Sequence, residues 1–130
     1  MSPQNALALY QQFPALYRSV RLDPTDPCSP RIEPVLFFEC GDGWFELIRR
    51  LSSRLSVLMA LSGDDVTVVQ VKEKYGRLRV YVDGGNEATE HLIDAAEKES
   101  ESICDLCGAP GSISIAGWRA TRCTKHRRAS

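Results

Sequence analysis

Histidine is scarce in this chain: there are two in 130 residues, His91 and His126. That leaves little room for chemistry built on a pair of histidines. Long apolar runs are missing as well. The most apolar window, "LSVLMAL" over 55–61, falls far short of the ~20 residues a membrane-spanning helix needs. The opening "MSPQNALALYQQFPALYR" has no basic leader before its apolar residues, and Pro14 interrupts it. A secretory signal peptide is therefore not expected, and the chain reads as cytoplasmic with no membrane partner. Net charge is close to nil, at −1, but the charges are segregated. Asp83 to Asp105 holds eight acidic residues and one lysine, whereas Gly108 onward holds five basic residues and no acidic one. The acidic stretch argues against a uniformly basic molecule.

What is present suits one small domain with a real core. Hydrophobic residues make up 43% of the chain, and this length buries enough surface to fold without disulfides. Residues 1–34 read as an irregular arm. "ALALYQQF" suits one or two helical turns, Pro14 suits the start of another, and "DPTDPCSPRIEP" carries four prolines in a surface segment around Cys28. "VLFFE" reads as a short extended run. After "CGDGW", with Asp42 as the expected N-cap, the residues Trp44, Leu47, Ile48, Leu51, Leu55, Leu58 and Met59 recur at helical spacing up to Gly63. "DVTVVQVKEKYGRLRVYVDGG" reads as a hairpin turning at Lys74-Tyr75-Gly76, with Thr67, Val69, Val71, Leu78, Val80 and Val82 on its core face. A second helix is expected from the N-cap Asn86, with an apolar stripe of Ala88, Leu92, Ala95 and Ala96 opposite an acidic side.

The cysteines are five, an odd number, and three of them fall near the end in "CDLCGAPGSISIAGWRATRCTKH". Cys104 and Cys107 form a C-x-x-C-G knuckle, and Cys123 and His126 form a C-x-x-H pair fifteen residues further on. Ordinary reduced cysteines rarely fall into such doubled spacing, which favours metal over disulfides. Three cysteines and one histidine make a closed tetrahedral Zn2+ site, structural rather than catalytic because no position is left for water. "SISI" and "WRAT" suit a small hairpin between the two pairs. The segment resembles a treble-clef zinc finger, with a two-knuckle zinc ribbon as the alternative. Arg119, Arg122, Lys125, Arg127 and Arg128 would offset the net negative charge of three thiolates around a dication.

Other candidates are surfaces. The outer hairpin face presents Lys72, Lys74, Tyr75, Arg77, Arg79 and Tyr81, to which Arg127 and Arg128 add charge. Cations interleaved with aromatics suit nucleic acid, although a solvated hairpin face has the same composition. No catalytic residues are expected. His91 lies on the acidic helix, and Cys40, although near a helix N-terminus, has no histidine close in sequence.

Three stretches, "CGDGWFELI", "VKEKYGRLRVYV" and the cysteine-rich segment, resemble a set of small uncharacterised proteins encoded by phages and prophages. The likeness covers about Phe38 to His126. It implies a phage or mobile-element setting and a zinc module, and it assigns no catalytic residue. The expected architecture is α+β: an arm over 1–34, a core over 35–103 with two helices on a β-hairpin or small antiparallel sheet, and a zinc-binding module over 104–130. The expected function is a non-enzymatic zinc-binding protein that contacts nucleic acid. The alternatives are an inhibitor of a host protein, as in counter-defence (an anti-CRISPR is one such case), and a metal-dependent nuclease.

Overall fold

Leu47 and Ile48, with Leu51 and Leu55 one and two turns on, form the buried stripe of the longest helix. The computed structural model describes residues 1–18, 38–114 and 117–127. Cys28 and its proline-rich surroundings lie outside these, as does Arg128. The described elements are α1 (Pro3–Gln12), β1 (Phe38–Glu39), α2 (Phe45–Ser62), β2 (Val66–Lys74), β3 (Arg77–Gly84), α3 (Glu87–Glu99), β4 (Ser112–Ile113) and β5 (Thr121–Arg122). Short 3-10 turns occupy Asp42–Trp44 and Ser100–Ser102. The fold is α+β, with the cysteine–histidine cluster at its C-terminal end.

The ends of α2 differ in how they are made. Gly63 closes it as expected, at φ 76°, with its N–H on the Met59 carbonyl. Asp42, expected to cap its start, does not do so. Its Oδ1 accepts from the Ser2 backbone N–H at 2.7 Å and from Asn5 Nδ2 at 3.0 Å. These bonds, the Ser2 one foremost, hold its carboxyl below the usual range.

The same bonds moor α1, so the N-terminal segment is less irregular than its sequence suggests. Ser2 caps α1, and Ala6, Leu9 and Tyr10 make a buried face at helical spacing. Leu16 and Tyr17 are buried too, and the Leu16 carbonyl accepts from the Val68 N–H at 2.9 Å. The rings of Tyr10, Tyr17 and Phe38 lie 5.6 to 5.7 Å apart, centroid to centroid. Burial of these aromatics is reason enough for the segment to join the core.

The sheet runs β1-β2-β3. β2 and β3 form the expected hairpin, and β1 joins β2 in parallel, with Phe38 opposite Val71. The extra strand therefore makes the sheet mixed rather than antiparallel. The rest of "VLFFE", Val35 to Phe37, lies outside the described residues. The core face of β3 is as expected, with Leu78 and Val80 buried and Val82 half-buried. The core face of β2 is not: Val66, Val68 and Val71 are buried, while Val69 is exposed. The register slips between Val68 and Gln70, so Val69 is an extra residue that flips the alternation midway. At the tip, Tyr75 and Gly76 stand at φ 55° and 81°. A tight hairpin turn demands this of both residues and favours Asn-Gly. A tyrosine there costs about 1–2 kcal/mol.

α3 begins at Asn86 in a reciprocal capping box with Thr89. Its buried face is turned by one position from the expected stripe. Thr89, Ile93, Ala96 and Glu97 are buried, and Ala88 and Ala95 are exposed. Polar partners explain the turn. The outer edge of β3 offers backbone N–H groups, and side chains from the C-terminal end of α3 accept them. Leu78 N–H reaches Ser100 Oγ at 3.0 Å, and Val80 N–H reaches Glu97 Oε2 at 3.0 Å. Arg79 Nη1 lies 3.7 Å from the other carboxylate oxygen of Glu97. An open sheet edge is thus closed by side chains. Glu97→Ala is expected to lower unfolding stability by about 1–3 kcal/mol, because it strands a buried N–H donor. Glu97→Gln, which keeps the acceptor, is expected to lose less. Urea denaturation of the two variants checks this.

Candidate metal centre

The knuckle is a tight turn of backbone. Cys104 carbonyl accepts from Gly108 N–H at 2.9 Å, and Cys104 N–H donates to Ala109 O at 2.8 Å. Gly108, at φ 82°, allows the chain to reverse there. The hairpin follows. Ser112 pairs with Arg122 and Ile113 with Thr121, and Ser114 N–H reaches Ala120 O at 3.0 Å. Cys123 and His126 then sit on a single turn closed by the His126 N–H on the Cys123 carbonyl. The layout is knuckle, hairpin, turn, and it is compatible with a zinc finger. As far as Arg127 it has no terminal helix of the treble-clef kind.

This brings all four expected ligands together. Their ligand atoms lie within 4.8 Å of one another, and among the described residues this is the one such cluster that could hold a metal ion. Cys107 Sγ is 3.7 Å from Cys123 Sγ. His126 Nδ1 is 3.6 Å from Cys104 Sγ and 3.2 Å from Cys123 Sγ. Cys104 and Cys123 are buried, and Cys107 is exposed.

The cluster separates its thiols by ease of ionisation. Burial pushes Cys104 up, but the backbone N–H groups of Cys123, Cys107 and Leu106 and the His126 ring outweigh it and draw the thiol down to about 6. Cys107 shifts the other way. The Ala109 N–H favours its thiolate, yet desolvation and the sulfurs of Cys104 and Cys123 together hold it above its ordinary range. Crowded sulfurs resist a second negative charge, a conflict that a bound cation relieves.

The seat of the knuckle is the "CGDGW" motif. Gly43 N–H donates to the Asp105 carbonyl at 2.9 Å, and Trp44 Nε1 donates to the Ile103 carbonyl at 2.9 Å. Trp44 is fully buried. A Cβ on Gly41 would stand 2.0 Å from the Asp105 carbonyl oxygen, and one on Gly43 would stand 2.1 Å from that of Cys104. Neither glycine has a positive φ, so it is their lack of a side chain that matters. Inside the module, Asp105 Oδ1 and Arg122 Nε lie 2.6 Å apart. Both atoms are buried without a well-aligned hydrogen bond, so charge attraction between them is what compensates their burial. Arg122 is thereby committed to Asp105, a role its sequence position did not signal.

The remaining candidates disperse. His91 is exposed, 3.8 Å from Glu87 on its own helix. Cys40 is pushed up to about 12, by burial first of all, and is no ready nucleophile. On the hairpin, Lys72 and Lys74 stand opposite Arg79 and Arg77. The two arginines turn to α3 and the residues after it: Arg77 Nε reaches the Glu97 carbonyl at 3.3 Å and lies 3.7 Å from Glu101, and Arg79 meets Glu97. They leave Lys74, Tyr75 and Tyr81 as the exposed part of that face. Arg127 bonds to Ser112 Oγ.

No protein-family model, curated protein or solved structure matches the chain. Gly43→Ala is expected to unseat the knuckle and to cost about 3 kcal/mol, at the upper end of overpacking penalties. Competition with a chelator should show weaker metal retention, and Trp44 emission should shift to the red.

Proposed function

We propose that this chain is a non-enzymatic, zinc-stapled interaction protein, its Zn2+ held by Cys104, Cys107, Cys123 and His126. The observation that carries this reading is the spacing of the ligand atoms. Zn–S bonds of about 2.3 Å and a Zn–N bond of about 2.0 Å place tetrahedral sulfurs ~3.8 Å apart, and sulfur and nitrogen ~3.5 Å apart. The separations of 3.7, 3.6 and 3.2 Å lie close to those edges. Thiolates with an imidazole select zinc over harder cations. With four protein ligands no position remains for water or substrate, which supports a structural metal. The exposed setting of His91 and the raised pKa of Cys40 support the same reading, because neither is poised for chemistry.

The hairpin β4–β5 and the knuckle bury few side chains among themselves, chiefly Cys104, Asp105, Ala120, Thr121 and Cys123. So small a unit depends on its metal, whose binding contributes on the order of 10 kcal/mol to folding in comparable modules. Reduced protein is expected to carry one zinc per chain by metal analysis. Cys107→Ser should release it, loosen the module and shift Trp44 emission to the red, while circular dichroism still registers α2. Far less than one zinc in reduced protein would refute the centre. Nucleic-acid cleavage that stops with chelator while the fold persists would overturn the non-enzymatic part.

A further inference from the structure

Where the hairpin tip meets the metal module there is an open groove of about 640 Å³, lined by Glu73, Lys74, Tyr75, Gly117, Trp118 and Arg119. The two walls are joined from behind. Thr121 Oγ1 donates to the Gly76 carbonyl at 2.5 Å, and a Cβ on Gly76 would come within 3.2 Å of the Ala120 backbone. This docking brings Trp118 and Arg119 beside a turn more than forty residues earlier in the chain.

Two observations mark the groove. The first is its composition. Trp118 is 79% exposed and Tyr75 is 68% exposed. Single exposed apolar residues are ordinary, but two large rings lining one groove are not. Glu73 is engaged in the turn, where Oε1 accepts from Gly76 N–H at 2.6 Å. Lys74 lies with its Nζ 5.7 Å from the Tyr75 ring centroid. Neither Lys74 nor Arg119 has a carboxylate within ion-pair reach among the described residues. The second observation is the backbone. Tyr75 holds a positive φ that asparagine or glycine would adopt more easily, and its ring adds nothing to the core. Strain kept at an exposed aromatic points to what the ring touches.

We propose that this groove binds single-stranded nucleic acid, with bases stacked on Tyr75 and Trp118 and phosphates held by Lys74 and Arg119. Every base has a face for an aromatic ring, and the two cations match a backbone that passes between the walls. In a duplex the base faces are already stacked on one another, which excludes it from this arrangement. The proposal rests on the zinc-stapled reading, because the module carries one wall of the groove.

The test uses the full, reduced, zinc-loaded chain and a short labelled single strand, as DNA and as RNA, with the duplex for comparison. Anisotropy across a salt series should show the single strand bound more tightly than the duplex. Trp118→Ala and Tyr75→Asn should each weaken binding about tenfold and leave the salt slope unchanged. Trp118→Phe should retain most of the affinity. Lys74→Ala and Arg119→Ala should each flatten the salt slope by about 0.7. Tyr75→Asn should leave the melting temperature unchanged or raise it, which separates loss of binding from loss of fold. Absence of single-strand binding at low salt, in protein with a full zinc complement and buried Trp44 emission, overturns the groove and leaves the zinc reading standing. Equal binding of duplex and single strand, unmoved by the ring substitutions, overturns it too. Binding by protein that carries no zinc overturns the zinc reading instead.

Discussion

Backbone lies directly on backbone where the Gly41–Gly43 turn meets the Cys104–Asp105 segment, and the arrangement of both halves of the molecule follows from that contact. Carbonyls of the knuckle occupy the space that side chains would need at the two glycines. The Gly43 and Trp44 N–H groups then satisfy the Asp105 and Ile103 carbonyls. The carbonyls pressed against the turn thus keep hydrogen-bond partners, which offsets the cost of removing them from water. The residues just before α2 are thereby fixed to the knuckle, and these bonds dock the segment that carries the Cys–His cluster onto the rest of the fold.

A second joint works with side chains. The last turns of α3 lie along the free edge of β3 and supply Glu97 and Ser100 as acceptors. The acidic side of this helix is therefore not simply a solvated face. Glu97 closes the sheet, Glu99 meets Arg50 of α2 at 2.6 Å, and Glu101 lies near Arg77. The carboxylates late in the helix oppose its dipole, and arginines from two neighbouring elements offset that. These three glutamates thus find their partners on α2 and β3 rather than among the basic residues after Gly108.

The parts of this fold that could be read from the sequence are those with a strong local signal. The α2 stripe, the glycine stop at Gly63, the Asn86 cap and the hairpin all have residue patterns that only one structure satisfies. The ligand set was legible for the same reason, since the doubled spacing carries its own geometry. Long-range partners defeated the rest. An alternating pattern cannot reveal that Val69 is an extra residue, and the slip moved the core face onto Val66 and Val68. A helical period cannot reveal that a glutamate will be buried against a strand edge. Asp42 looked like a cap because the Ser2 and Asn5 donors lie far off in sequence. Trp118 and Arg119 escaped notice beside Tyr75 because only the docking of Thr121 on Gly76 makes them neighbours.

Among the hydrogen bonds that seat the module, two side-chain ones span 59 and 45 residues of chain, from Trp44 to Ile103 and from Thr121 to Gly76. The ligands therefore converge beside surfaces supplied by the start of α2 and the hairpin tip. Affinity for a metal held there would then be partly a property of those distant elements, and by linkage that metal would return stability to them in equal measure. A peptide cut down to the knuckle and the C-x-x-H turn would hold the same four ligands without that contribution. Zinc bound at these ligands would thus report on the condition of the whole domain, and whatever pries at the hairpin tip would also loosen the grip on the ion.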